Sequence, residues 1–132
     1  TTSIVHMHWV PGPACTVMGS AGQLQQVVMN LLQNACDAAA GETGADAVLR
    51  IDCSSDGATV RMALRDNGPG IPEDCLSRIF EPFFTTKPIG KGTGLGLSIS
   101  YGIVEQHGGR LSARNHPDGG AEFVLELPCA VA

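Results

Sequence analysis

Apolar residues recur along this chain with two periods, and the changes from one to the other mark its elements. "IVHMHWV" (4–10), "VLRIDCS" (48–54), "ATVRMALR" (58–65), "GRLSARN" (109–115) and "AEFVLEL" (121–127) are short runs of strand character. In the last of them Ala121, Phe123, Leu125 and Leu127 alternate with other residues as a half-buried strand requires. Pro11-Gly12-Pro13 stops the first run, Ser55-Asp56-Gly57 predicts a hairpin between the second and third, and "HPDGG" (116–120) turns the fourth into the fifth. Between residues 21 and 40 the period is helical: Leu24, Val27, Val28, Leu31, Leu32, Ala35, Ala38 and Ala39 form one apolar arc. Helical signals return at 73–80 and at 95–107, where Leu95, Ile99 and Ile103 are expected to face inward and Gly108-Gly109 to stop the helix. Five strands with helices on one face predict a two-layer α/β sandwich.

Composition changes this picture little. A chain of 132 residues with 43% hydrophobic content suits one domain spanning 1–132. Thirteen acidic residues against eight Lys and Arg give a net charge of -5, which excludes the basic footprint of a nucleic-acid binder. Any anionic ligand must therefore be held locally. Residues 21–40 carry glutamines, asparagines and Asp37, so they are neither a membrane span nor a signal peptide, and no direct membrane contact is expected. Five cysteines without a C-x-x-C pair read as plain thiols in a reducing compartment. The chain begins at Thr1 without Met and reads as a piece of a longer protein.

Three stretches carry candidate chemistry. Beside the apolar arc of 21–40 runs a stripe of Gln23, Gln26, Asn30, Asn34 and Asp37. Solvated helix faces favour Lys, Glu and Arg, whereas Asn and Asp are poor helix formers. The stripe is either a solvated face or a ligand face, on which Asn30 and Asn34 at i and i+4 suit a hydrated Mg²⁺ otherwise held by phosphate. Asp66-Asn67-Gly68-Pro69-Gly70 follows a strand; it is either a surface turn or a carboxylate placed to accept a hydrogen bond from an exocyclic amine beside bare backbone. The third stretch, from 79 onward, lacks any period for about a dozen residues yet holds Phe80, Phe83, Phe84, Thr85, Thr86 and Lys87, the composition of a lid over a ligand. It leads into Gly92, Thr93, Gly94 and Gly96 before a helix. This run is neither a Walker loop nor a dinucleotide fingerprint; it is a linker or an anion site of exposed amides.

In order, "QQVVMNLLQNACDA", "DNGPGI", "FEPFFTTK" and "GTGLGLSISYGIVEQHGG" resemble the N, G1, F and G2 boxes of the ATP-binding catalytic domain of bacterial sensor histidine kinases, and "GGAEF" resembles the weak third glycine box. This family belongs to the GHKL (Bergerat-fold) group shared with gyrase, mismatch-repair proteins and a chaperone. The resemblance implies a mixed, mostly antiparallel five-stranded sheet covered on one face by about three helices. It implies ATP and Mg²⁺ as cofactors, with Asn34 as metal ligand and Asn30 as its helper one turn earlier. Asp66 would read adenine, with Gly68 and Gly70 lining the base and Ile71 among the ATP-binding positions. Thr85, Thr86, Lys87, Gly92, Thr93, Gly94, Leu95, Gly96 and Leu97 would surround the nucleotide, Lys87 acting with Asn30 and Asn34 in catalysis. Asp37, included among the ATP-binding positions, departs from the pattern: some relatives carry a phosphate-contacting Lys or Arg there, leaving a supporting contact or plain solvation open.

The implied reaction is phosphoryl transfer to a histidine on a separate dimerisation and phosphoacceptor hairpin, with a response-regulator receiver domain downstream. The implied parent is a homodimeric, cytoplasmic kinase that can be anchored in the inner membrane. The acceptor histidine is absent here, since His6 and His8 lie on a strand, His107 ends a helix and His116 sits in a turn. His6 and His8 at i, i+2 lack a third metal ligand nearby. Two other classes stand beside this one: an ATPase clamp of the same fold, which needs a catalytic acid where this chain has Asn30, and a non-catalytic nucleotide-binding regulatory module.

Overall fold

Pairing register decides which side chains of a sheet share a face, and with that the architecture. A computed structural model describes residues 5–10, 16–40, 47–82, 84 and 96–129. In chain order these form β1 (Val5–Val10), α1 (Ala21–Ala40), β2 (Ala47–Ser55), β3 (Thr59–Asp66), α2 (Gly96–Gln106), β4 (Arg110–Asn115) and β5 (Ala121–Pro128). The sheet order is β1-β2-β3-β5-β4. The β1–β2 pair is parallel and the other three pairs are antiparallel, as the mixed, mostly antiparallel sheet was expected to be.

Register aligns Ile51, Leu64, Phe123 and Ala113 in one row and Cys53, Met62, Leu125 and Leu111 in the next. Because side chains alternate between faces, these rows share the face against which Val27, Leu31 and Ala35 of α1 and Ile103 and Val104 of α2 pack. Phe123 is 1% exposed and is the largest of the fully buried side chains. The opposite face carries charged rows: Arg50, Arg65, Glu122 and Arg114 align in one, Arg61, Glu126 and Arg110 in another. Arg114 reaches Glu122 at 2.8 Å within the first row.

Local chemistry sets the ends of the elements. Ser20 caps α1, its Oγ accepting from Gln23 N–H at 3.3 Å. Helix α2 stops in a Schellman arrangement: Gly108 is at φ +73°, its N–H donates to Glu105 O, and Gly109 N–H donates to Val104 O. In the β2–β3 hairpin Asp56 Oδ1 accepts from Ala58 and Thr59 N–H, and these bonds hold its carboxyl below the ordinary range.

Three expectations are corrected. Residues 73–80 form no helix; bonds from Cys75 to Pro72, Arg78 to Cys75 and Glu81 to Arg78 close a staircase of turns. The bonds each span three residues and recur only at every third residue, so no helical ladder forms, and Pro82, without an N–H, cannot extend one. Phe80 is anchored nonetheless, tilted against Tyr101 at 5.1 Å and edge-on to Phe123 at 6.5 Å. Next, Ile99 is 42% exposed, because the buried stripe of α2 runs through Ser100, Ile103 and Val104 instead; Leu95 lies outside the described residues. Finally, the cysteines are not all plain thiols. Cys36, Cys53 and Cys75 are free, and burial raises the pKa of Cys36 and Cys53, but Cys129 is disulfide-bonded.

A glycine pair separates backbone strain from collision. Gly120 is at φ +79°, and a Cβ there would run into the Asp66 carbonyl; Gly57 is at φ +89° with open space around it. We expect Gly57→Ala to cost about 1 kcal/mol and Gly120→Ala about 3 kcal/mol in urea denaturation. Equal losses would show that Gly120 answers only a backbone requirement.

Candidate nucleotide site

Asp66 is the last residue of β3 and is 2% exposed. One carboxylate oxygen is fully committed: Oδ1 accepts from Gly68 N–H at 2.8 Å and from Ala121 N–H at 3.2 Å. The other, Oδ2, is buried without a hydrogen-bond partner. Burial pushes the carboxyl above its ordinary pKa range, opposed by the two backbone donors and by Arg65. A buried carboxylate oxygen with nothing to accept is costly unless a ligand supplies the donor.

The glycine turn after Asp66 is fixed from three sides. Gly68 is pinned through its own N–H, and Asn67 Oδ1 accepts from Val48 N–H at 3.0 Å. Gly70 adopts φ +85°, with Asn115 so close that a Cβ would come within 2.7 Å of its Oδ1. Ile71 packs against the core while both its backbone polar groups pair with the Asn115 amide. The hairpin joining β4 to β5 closes behind the turn through His116 N–H to Gly120 O at 2.8 Å.

Asn30 and Asn34 lie on α1, both half-buried. Asn30 Nδ2 donates to Ser100 Oγ at 3.1 Å and to Gly96 O at 3.3 Å, tying the middle of α1 to the first turn of α2. Ser100 is fully buried. Asp37 is exposed and accepts from Gln33 Nε2 at 3.0 Å. Gly96 and Leu97 open α2, and Leu97 packs against the same core as Ile71, Val27 and Leu31. The asparagine helix, the first glycine turn and the start of α2 thus share one core. Thr85, Thr86, Lys87, Gly92, Thr93, Gly94 and Leu95 lie outside the described residues.

At the far end of the helix pair His107 Nε2 accepts from Ser20 N–H at 3.1 Å, while Nδ1 pairs with Ile103 O at 2.7 Å. Sequence reasoning missed Ser100, His107, Asn115 and Gly120. The last two were visible only as the ends of a turn, and the other two as helix residues without a chemical signature. Among the described residues no three His, Cys, Asp or Glu side chains are grouped to hold a metal ion. The side-chain amide oxygens of Asn30 and Asn34 on α1 are neutral oxygen donors of the type that could hold Mg²⁺.

A buried acid beside a glycine turn, an asparagine helix and a glycine-led second helix on a mixed sheet define a GHKL-type nucleotide-binding fold. The chain belongs to the histidine kinase-, DNA gyrase B-, and HSP90-like ATPase family, which residues 19–131 match. It is 49% identical over 124 residues to the two-component sensor PprA of Pseudomonas aeruginosa, covering 91% of this chain and 13% of that protein. It is 39% identical to sporulation kinase A of Bacillus subtilis, covering 85% of this chain and 18% of that protein. It thus spans under a fifth of these two relatives. Among solved structures, the catalytic domain of histidine kinase ThkA superposes with a TM-score of 0.79 at 34% identity, over 94% of this chain and 80% of that one. Full-length ShkA in complex with AMPPNP gives 0.79 at 34%, over 97% of this chain and 26% of that one. No helix among the described residues is long and apolar enough to cross a membrane.

The raised pKa of Asp66 makes a signed prediction. A carboxyl whose folded pKa is raised costs the fold stability above that pKa, and the cost vanishes as the pH falls below the unfolded value near about 4. Asp66→Asn keeps an oxygen for Gly68 and Ala121 without the charge. The ligand-free variant should melt at or above the unsubstituted chain near neutral pH, and its advantage should shrink on acidification. An advantage that grows with acid would contradict the assigned burial penalty.

Proposed function

We propose that this chain is a single ATP-binding catalytic domain that binds Mg-ATP and presents the γ-phosphate to a histidine on a separate dimerisation and phosphoacceptor domain of its parent kinase. The observation that carries this reading is the unpartnered, buried Oδ2 of Asp66. An exocyclic adenine amine supplies the N–H donor that this oxygen lacks, and Gly68 and Gly70 let the base approach bare backbone. Relatives named as sensor kinases, and the structural neighbour holding AMPPNP, support the same ligand class.

Asn34 and Asn30 would hold Mg²⁺, which when bound neutralises charge on the triphosphate. Asn30 spends its two amide protons on Gly96 and Ser100, so its oxygen is oriented by the α1–α2 contact. An amide takes up no proton at neutral pH, so position 30 serves orientation and not activation of water, which favours presentation of the phosphate over hydrolysis. Lys87 and the amides of Gly92, Thr93, Gly94 and Gly96 would complete the phosphate site, with Thr85 and Thr86 in the lid. The parent acts as a cytoplasmic homodimer that passes the phosphoryl group to a response-regulator receiver domain. Support comes from ThkA, a neighbour at 31% identity and TM-score 0.76 solved in complex with the response regulator TrrA.

Two substitutions separate binding from transfer. Asp66→Asn should weaken ADP binding in calorimetry by at least about tenfold, since a buried charged hydrogen bond is lost. Asn34→Ala should leave the fold intact and abolish Mg²⁺-dependent phosphorylation of a supplied acceptor hairpin. Unchanged ADP affinity in the first, or retained transfer in the second, removes the corresponding role.

A further inference from the structure

The Asn115 side chain makes a contact that nothing in the nucleotide chemistry above assigns. Its Oδ1 accepts from Ile71 N–H at 2.6 Å and its Nδ2 donates to Ile71 O at 2.7 Å. A side-chain amide presents a donor and an acceptor side by side, as the N–H and C=O of one residue do in an extended strand. The reciprocal pair therefore mimics one rung of a sheet, laid between the last residue of β4 and a turn belonging to no strand. Both bonds are satisfied only with the amide in this orientation, and each is short.

The position of this rung gives it a consequence. Ile71 ends the turn whose Gly68 and Gly70 would line the base, and Gly70 sits against the Asn115 amide in a left-handed conformation. Five residues back, Asp66 Oδ1 is held by Ala121 N–H, the first residue of β5. The base-facing turn is thus tied to one hairpin at both ends: at Asp66 through the start of β5, and at Ile71 through the end of β4. Arg65 Nε donates to Gly119 O at 3.1 Å in the same hairpin. Without Asn115, Ile71 N–H and C=O lose their partners, and the 67–71 segment keeps polar anchors only near its Asp66 end, at Asn67 and Gly68, with the Ile71 side chain still packed on the core.

We infer that Asn115 is a positioning residue for adenine recognition: its amide holds the Ile71 N–H and C=O and thereby fixes the distance between the base-lining glycine backbone and Asp66 Oδ2. This rests on the proposed nucleotide reading and extends it to the β4–β5 hairpin. The effect should fall on the base and not on the phosphates, because the hydrogen bonds that the Asn115 side chain makes among the described residues go to Ile71 and Glu73, at and just after the end of the base-facing turn.

The test compares ADP with inorganic tripolyphosphate in calorimetry, on the unsubstituted chain, Asn115→Ala and Asn115→Asp. Asn115→Ala should weaken ADP by about tenfold, the worth of two hydrogen bonds, and leave tripolyphosphate within about twofold. Asn115→Asp keeps an acceptor for Ile71 N–H and should fall between the two. In the ligand-free chain, amide exchange at Ile71 should quicken in Asn115→Ala while exchange in the middle of β5 is unchanged. ADP affinity equal to that of the unsubstituted chain overturns the inference, as does a parallel loss of both ligands, which marks general loosening of the fold. If the unsubstituted chain binds tripolyphosphate but not ADP, the adenine reading itself fails, a result distinct from either.

Discussion

A carboxylate taken out of water must be satisfied atom by atom, and Asp66 is satisfied on one oxygen only. Its Oδ1 holds the Gly68 and Ala121 amides, while Oδ2 is buried and unpaired. The cost of that arrangement falls on folding and is relieved by a donor from outside the chain. Much of the surrounding structure supports this position. Gly120 has no side chain because one would collide with the Asp66 carbonyl, and the hairpin it closes brings Ala121 N–H to the acid. The site depends on strand register: had β3 and β5 paired one residue out of step, Ala121 would not face the acid and the polar and apolar faces would exchange.

The helical layer is fastened by single polar contacts at its two ends. Near the start of α2, Asn30 bridges to Gly96 O and to buried Ser100; at its end, His107 takes the Ser20 N–H that opens α1. A capping box would give that N–H to a side chain in the same helix, and residue 23 is the Gln that such a box uses. Here the partner comes from the other helix, so the cap of α1 and the C-terminus of α2 are one structure. The Schellman glycines that follow then carry the chain directly into β4. The polar stripe of α1 is therefore a seam between helices in its middle and solvent-facing at Asp37.

The strands were legible because their two faces differ in chemistry, and the asparagine helix because its polar stripe avoids the residues that a solvated face prefers. The glycine turn at 66–70 was legible as a motif but not as geometry, since nothing local says that Oδ1 and Oδ2 of one carboxylate have different environments. Asn115 was invisible for the same reason. Its partner is 44 residues away in sequence, and an Asn before a His-Pro-Asp-Gly-Gly turn explains itself locally. The segment at 73–80 misled because Ile79 and Phe80 satisfy an apolar period, while its backbone bonds only as successive three-residue turns and Pro82 cannot donate to continue a ladder. Ile99 misled because an apolar residue at helical spacing need not lie on the stripe that meets the sheet.

Charge placement constrains how a triphosphate is held. Of the eight Lys and Arg residues, Arg50, Arg61, Arg65, Arg110 and Arg114 occupy the sheet face turned away from the helices, where Asp52, Glu122 and Glu126 lie among them. Arg78 is engaged by Glu81 at 3.1 Å and lies over the Phe84 ring. Only Lys87 and Lys91 remain, both in the glycine-rich stretch before α2. On the helix side the chain is thus poor in fixed positive charge, and its net charge of -5 opposes an anion at long range. On the proposed reading the phosphates must then be held by main-chain amides, one or two lysines and a divalent ion carried in with the nucleotide. Neutral amides on α1 fit that division. An acidic stripe would add to the repulsion, whereas a basic stripe would compete with the metal for the same oxygens.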